Sequence, residues 1–334
     1  MESTPVFASY WQFAAERQAI YFRRLASPIG PWTEDPILAA YRFTNVYRAS
    51  DRVSQYLIRH VQYDPERSTD PKEIFFRTIL FKLFNRIDTW EALEQQVGRI
   101  SWERTDLNVA CRVLDDLMAG GRRLYSAAYI MPSPALGYAR KHANHLALIS
   151  RMMEDKLPDR IRQAPTLRTV YELLRRYPGL GPFLAFQYAI DLNYSELLTH
   201  DESDFVVAGP GALDGIAKCF VDVGGLSPEE VIYWVYEQQE RAFSSAGLAF
   251  QSLFGRRLQP IDCQNLFCEI SKYARVAHPD VAGLSGRTRI KQVYRPANQV
   301  LPIPMYPPRW NLSGEVSNAL RTGSDAHYQR RALL

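Results

Sequence analysis

The amino-acid sequence predicts an all-α fold organised around a helical hairpin, and three observations carry that prediction. Nearly every apolar-rich stretch repeats with the period of an amphipathic helix. No run alternates apolar and polar residues in the manner of a half-buried strand. Between two of the helical stretches stands Tyr177-Pro178-Gly179-Leu180-Gly181, where proline and glycine mark the stop of one helix and the start of the next.

The elements follow in order. Residues 5–26 form a first helix, with Phe7, Tyr10, Trp11, Ala14 and Ile20 beside a charged face, and Ser27-Pro28-Ile29-Gly30-Pro31 breaks it. A second helix is expected from Asp35-Pro36, an acidic cap before a first-turn proline, to about Val61. Residues 71–87 are apolar enough to form a central core helix. Helical patterns continue over 89–97, 106–119, 136–155, 166–176, 180–193 and 210–220. Ser227-Pro228-Glu229-Glu230 opens a capped helix to about 245, and a last helix covers 262–276. The expected domain organisation is a helical region over 1–278, with the hairpin at about 166–193, and an extended, basic, proline-rich segment over 279–334 that ends in a frayed terminus.

Composition excludes some classes. No apolar run is long enough to span a bilayer and no leader pattern opens the chain, so a cytoplasmic monomer without a membrane partner is expected. Cys111, Cys219, Cys263 and Cys268 show no C-x-x-C pairing, so neither an iron–sulfur cluster nor any other cofactor is expected. The net charge is +4, and 33 of the 40 basic residues are Arg, a composition that permits a nucleic-acid partner without requiring one.

The hairpin narrows the choice. Gly179 and Gly181 let backbone amides face outward at a helix N-terminus, where they can hold a DNA phosphate without reading sequence. The arrangement resembles the helix-hairpin-helix of DNA glycosylases, which carry a catalytic carboxylate at a set distance beyond the hairpin. Counting from Phe183, Asp201, Glu202 and Asp204 stand 18, 19 and 21 residues on. Asp204 is the first choice for the catalytic carboxylate, because it precedes the apolar run Phe205-Val206-Val207 and is expected in a low-dielectric pocket. Bifunctional members carry a lysine just after the hairpin. Here Pro182 and Phe183 occupy that place, which implies a monofunctional enzyme.

Tyr41-Arg42-Phe43-Thr44-Asn45-Val46-Tyr47-Arg48, Phe81-Lys82-Leu83-Phe84-Asn85-Arg86, Tyr125 to Met131, Asp204 to Gly211, Asp262 to Glu269 and Gly286-Arg287-Thr288-Arg289 carry a wider resemblance. Across about 10 to 310 the chain resembles the helical-domain family named after 5-hydroxymethyluracil DNA kinase, also called the α-glutamyl/putrescinyl-thymine pyrophosphorylase family. That resemblance implies chemistry on a modified base in double-stranded DNA. The leading expectation is excision of a hypermodified phage-type base by N-glycosidic hydrolysis in antiphage defence. The alternatives are a transferase that adds an amine or amino acid to a pyrophosphorylated hydroxymethylpyrimidine, and a non-catalytic DNA-binding module. No P-loop pattern occurs.

Other candidates surround this reading. Tyr41, Asn45, Arg48, Arg52, Gln55 and Arg59 recur on one face of the expected second helix, and Asn45, amid apolar neighbours, is a candidate base-reading amide. Asn85, Gln264 and Asn265 are further candidates for reading a flipped base. Arg287, Arg289 and Lys291 form a basic loop suited to phosphates. Lys141-His142-Ala143-Asn144-His145 places two histidines on a helix without a nearby carboxylate pair, so packing or DNA contact is expected there and no metal.

Overall fold

The computed structural model describes residues 1–297 and 299–317. It is mostly helical. A short strand β1 (Glu2–Ser3) precedes α1 (Pro5–Ala26), α2 (Pro36–Ala40), a 3-10 turn (Arg48–Ser50) and α3 (Arg52–Tyr56), which runs into a π-helical stretch (Leu57–Gln62). Then come α4 (Pro71–Phe84), α5 (Ile87–Val97), α6 (Leu107–Ala119), α7 (Lys141–Glu154), α8 (Leu157–Arg162), α9 (Leu167–Arg175) and α10 (Pro182–Asn193). The chain continues with α11 (Pro210–Cys219), β2 (Phe220–Asp222), α12 (Pro228–Ser245) and α13 (Pro260–Ala277). The two strands pair antiparallel. Proline opens α1, α2, α4, α10, α11, α12 and α13, where its missing N–H costs nothing, so most helix starts are written in the sequence.

The chain divides into two compact units, one formed by Met1–Asp51 with the residues from Val206 onward, the other by Arg52–Phe205. In the first, α11 lies against α13 at a distance only glycine allows. A Cβ at Gly215 would come within 2.0 Å of the Phe267 carbonyl oxygen, and one at Gly211 within 2.9 Å of Cys268 Sγ. Aromatic pairs fill the remaining core, with Tyr10 on Phe267 at 4.8 Å, Phe7 on Phe220 at 4.7 Å and Trp11 edge-on to Phe243 at 4.9 Å.

In the second unit, α4 is buried from Glu73 to Phe84, which makes it the central core helix its composition predicts. Its charged residues survive burial because each is bonded. Glu73 accepts from the Ser101 hydroxyl and from the Trp102 and Glu103 amides, Arg77 Nε donates to the Val61 carbonyl, and Lys82 sits 3.2 Å from Asp191.

Several boundaries differ from expectation: the helix expected over 71–87 ends at Phe84, and an unexpected helix, α8, covers Leu157–Arg162. The predicted helix over 36–61 is interrupted: α2 stops at Ala40 and the chain runs extended through Tyr41. Backbone groups that a helix would pair internally are taken elsewhere: the Arg42 amide by the Gln292 carbonyl, the Thr44 amide by Glu269 and the Asn45 amide by Asp51. The polar face expected across Tyr41, Asn45, Arg48, Arg52, Gln55 and Arg59 therefore does not exist as one helical face. The helix expected from 136 begins at Lys141, because the Asn144 side chain accepts from the Leu136 and Tyr138 amides and ties 136–138 into a turn. The second hairpin helix begins at Pro182 rather than 180. The described residues from 279 to 317 carry little regular structure, with Val293 bridging Tyr41 and a 3-10 turn at Pro308–Trp310; the frayed terminus expected at the end of the chain lies outside the described residues.

Candidate functional site

The interruption after α2 builds a polar network inside the first unit. Residues 42–51 cross α13, and side chains from α13 replace the helix bonds that this segment forgoes. Asn265 Nδ2 donates to the Asn45 carbonyl at 3.0 Å and to Thr44 Oγ1 at 3.1 Å. Glu269, one turn along α13, accepts from the Thr44 amide at 3.1 Å and pairs with Lys272 at 2.7 Å. Asp262 accepts from the Arg48 amide at 2.9 Å. The Asn45 side chain donates to the Ser50 carbonyl at 2.6 Å and accepts from Arg17 Nη2 of α1 at 2.7 Å, while its amide donates to Asp51 at 2.7 Å.

Two ionisable groups here are perturbed by enclosure. Burial raises the Asp51 carboxyl to about 6, against the opposing pull of the Asn45 amide and Arg17. Burial also lowers the Arg17 guanidinium from its ordinary value, although Asp51 and Glu269 both favour its charge. Arg17 Nη1 is enclosed and has no hydrogen-bond partner. Perturbed, half-buried opposite charges clustered in one place are a recurring mark of functional sites.

Beside this network opens a cavity of about 380 Å³, lined by Arg17, Arg24, Trp32, Tyr41, Phe43 and Tyr294 among others. The loop after α1 is fixed there: Trp32 Nε1 donates to the Ser27 carbonyl, and Arg23 and Thr33 both reach Glu16. The guanidinium of Arg24 lies 4.9 Å from the centre of the Trp32 ring. The far wall comes from the extended C-terminal stretch, whose Tyr294 amide donates to the Ala40 carbonyl. The volume, the aromatic walls and the two guanidiniums suit a planar heterocycle that carries an anionic substituent.

Of the residues chosen from sequence, Asn45 and Asn265 meet in this network. Gln264 does not: it is 2% exposed and its amide donates to Cys268 Sγ at 3.1 Å. Asn85, in the second unit, is the left-handed cap of α4 and accepts from Lys82 at 2.7 Å, so its amide oxygen is already committed. Asp204 is exposed rather than enclosed in an apolar pocket; of the three acidic residues in that turn only Glu202 is buried. Gly179 takes a positive φ of 84° in the hairpin turn and Gly181 caps α10, while Arg287, Arg289 and Lys291 lie exposed. Ser285 ties their loop to α11 by donating its amide to Asp214.

Sequence reasoning missed Arg17, Asp51, Glu269 and the cavity. Only Glu269 had a visible signal, standing one helical turn beyond Asn265.

The model of a protein family described as the helical domain of 5-hmdU DNA kinase matches residues 4–283. A 5-hmdU DNA kinase of Bacillus phage SP10 is 26% identical over 286 residues, which cover 79% of this chain and 44% of that kinase. The chain thus spans less than half the length of this relative. No solved structure matches it. These similarities correct the expectation of a DNA glycosylase: both matches are named for a kinase that acts on 5-hmdU in DNA, and neither for a hydrolase of N-glycosidic bonds. The exposed position of Asp204 also removes the low-dielectric setting on which that expectation relied.

Proposed function

Because the chain belongs to the family of the 5-hmdU DNA kinase helical domain, we propose that it serves group transfer at the 5-substituent of a hydroxymethyluracil-type base in DNA. The form favoured is a transferase that joins an amine or amino acid to a hydroxymethylpyrimidine already activated as its pyrophosphate ester. The C–O bond to pyrophosphate breaks, a C–N bond forms, pyrophosphate leaves and the amine gives up a proton.

The observation that carries this reading is Arg17, whose enclosed Nη1 lacks a protein partner in a residue that lines an aromatic-walled cavity. With Arg24 it offers positive charge to the phosphoryl oxygens of the substituent and to the departing pyrophosphate. Trp32, Tyr41 and Phe43 offer the surface for the pyrimidine ring. Asn45, Asp51 and Glu269 position Arg17 and the 42–51 segment rather than touch substrate. No P-loop is present in this chain, so the reading does not assign it the phosphorylation of the base.

DNA itself is held elsewhere on the chain in this proposal. The turn between α9 and α10 acts as a helix-hairpin-helix on the phosphate backbone of duplex DNA, and Arg287, Arg289 and Lys291 add salt-sensitive contacts. The test is binding to duplexes that differ at one base: thymine, 5-hydroxymethyluracil, or its pyrophosphate ester. Tightest binding to the ester, with that preference lost in Arg17→Gln while general DNA affinity is kept, supports the reading. Equal affinity for all three duplexes rejects it.

A further inference from the structure

Within the second unit, Cys111 and Asp115 stand one turn apart on α6, and His142 in the first turn of α7 faces them. Cys111 Sγ, an Asp115 carboxylate oxygen and a His142 ring nitrogen all lie within 4.8 Å of one another. His142 is 1% exposed, and its enclosed Nε2, 3.1 Å from Asp115 Oδ1, makes no aligned hydrogen bond. A buried imidazole beside a carboxylate ordinarily settles into a linear N–H···O bond. Here the distance is met without the alignment of a full hydrogen bond.

We propose that Cys111, Asp115 and His142 bind a single divalent metal ion of the zinc class, with one coordination position left open. The donor set selects the class: one thiolate, one imidazole and one carboxylate suit zinc, whereas calcium and magnesium take oxygen ligands. Donors on a tetrahedral zinc stand roughly 3.3–3.8 Å apart, given bond lengths near 2.0–2.3 Å. The three side chains need only close in slightly to reach that spacing. Arg140, 3.7 Å from Asp115, would turn away, and its 63% exposed side chain has room to do so. Asp115, with 42% of its side chain exposed, faces solvent and leaves the fourth position to water or an anionic oxygen.

The protonation states are compatible. Burial lowers the His142 pKa below the ordinary histidine value, which favours the neutral imidazole that metals bind. Burial raises the Cys111 thiol, so binding replaces its proton with the metal and releases H⁺. The neighbouring His145 is already engaged, with Nδ1 on the Tyr125 hydroxyl at 2.7 Å and Nε2 on the Pro132 carbonyl at 2.9 Å. The ion would fasten α6 to α7 across the long connection at 120–140. This inference does not depend on the base-modification reading.

The test uses the full chain, purified without chelator and freed of any affinity tag. Elemental analysis is expected to find one zinc per chain, and the metal-free protein titrated with Co²⁺ to develop a thiolate-to-cobalt charge-transfer band. Cys111→Ser is expected to abolish that band, and Asp115→Asn to weaken binding by ~10-fold or more, a loss that removal of even an outer-shell partner can cause. Both residues are partly exposed, so the variants retain the fold, which circular dichroism checks. A folded wild-type chain that binds neither metal overturns the proposal. So does a charge-transfer band that persists in Cys111→Ser, or an affinity unchanged in Asp115→Asn.

Discussion

Replacing Asp51 with Asn removes a carboxylate that the fold would rather keep protonated. Enclosure raises it from its ordinary value of 3.8 to about 6. The native state therefore binds this proton more tightly than the unfolded chain does, and the associated stability is present below about pH 4 and lost as pH rises through about 6. A shift of this size corresponds to about 3 kcal/mol, nearer ~2 because the residue keeps some contact with solvent. The attraction of Arg17 is already included in that net shift. Asn retains the oxygen that accepts the Asn45 amide. Asp51→Asn should thus stabilise the first unit by about 2 kcal/mol at neutral pH, be near neutral at about pH 4, and flatten the profile between. Amide hydrogen exchange of α1 and α13 across that range reads the unit directly, without assuming that the whole chain unfolds in one step. A variant less stable than wild type at neutral pH, or one with an unchanged pH profile, would refute the reasoning.

Other perturbations probe other parts of the account. Gly215→Ala places a methyl against the Phe267 backbone oxygen and should cost about 3 kcal/mol or more, measured by urea denaturation, because neither helix can yield without losing its packing. Glu73→Gln leaves a single acceptor oxygen where two serve Ser101, Trp102 and Glu103, and should destabilise the second unit by roughly 2–3 kcal/mol, visible as faster exchange at residues 101–103. Arg287→Ala with Arg289→Ala should lower affinity for all DNA sequences alike and reduce the salt dependence of binding by about two phosphate contacts; an unchanged slope would remove this loop from the interface.

The helices were legible because their starts and stops are chemical: proline in the first turn, and Asp35, Asp70 or Ser227 capping through side-chain oxygens. Burial of α4 was legible from its density of large apolar residues, Phe75, Phe76, Ile79, Leu80, Leu83 and Phe84, although Arg77, Thr78 and Lys82 interrupt them. The site was legible only in part. Asn45 and Asn265 stood out as amides in apolar company, yet the segment holding Asn45 carries the spacing of a helix face. Its extended path is decided by groups distant in sequence, Glu269 and Gln292, which no local pattern announces. Arg17 looks from sequence like one more charge on an amphipathic helix, and its enclosure is set by Phe43, Asn45 and Asp51. Asp204 misled because distance along the chain fixes a position but not its burial. Cys111, Asp115 and His142 belong to two helices joined by a long connection, so their spacing resembles no metal motif.

The central claim is group transfer at the 5-substituent, and nucleoside mass spectrometry tests it most directly. Duplex DNA carrying the pyrophosphate ester of 5-hydroxymethyluracil is incubated with the chain and a mixture of amines and amino acids, digested to nucleosides and weighed. The account predicts a modified nucleoside whose mass has lost pyrophosphate and gained the amine, formed by wild type and not by Arg17→Gln. Unaltered nucleoside recovered in full from wild type, or transfer undiminished in Arg17→Gln, would contradict it.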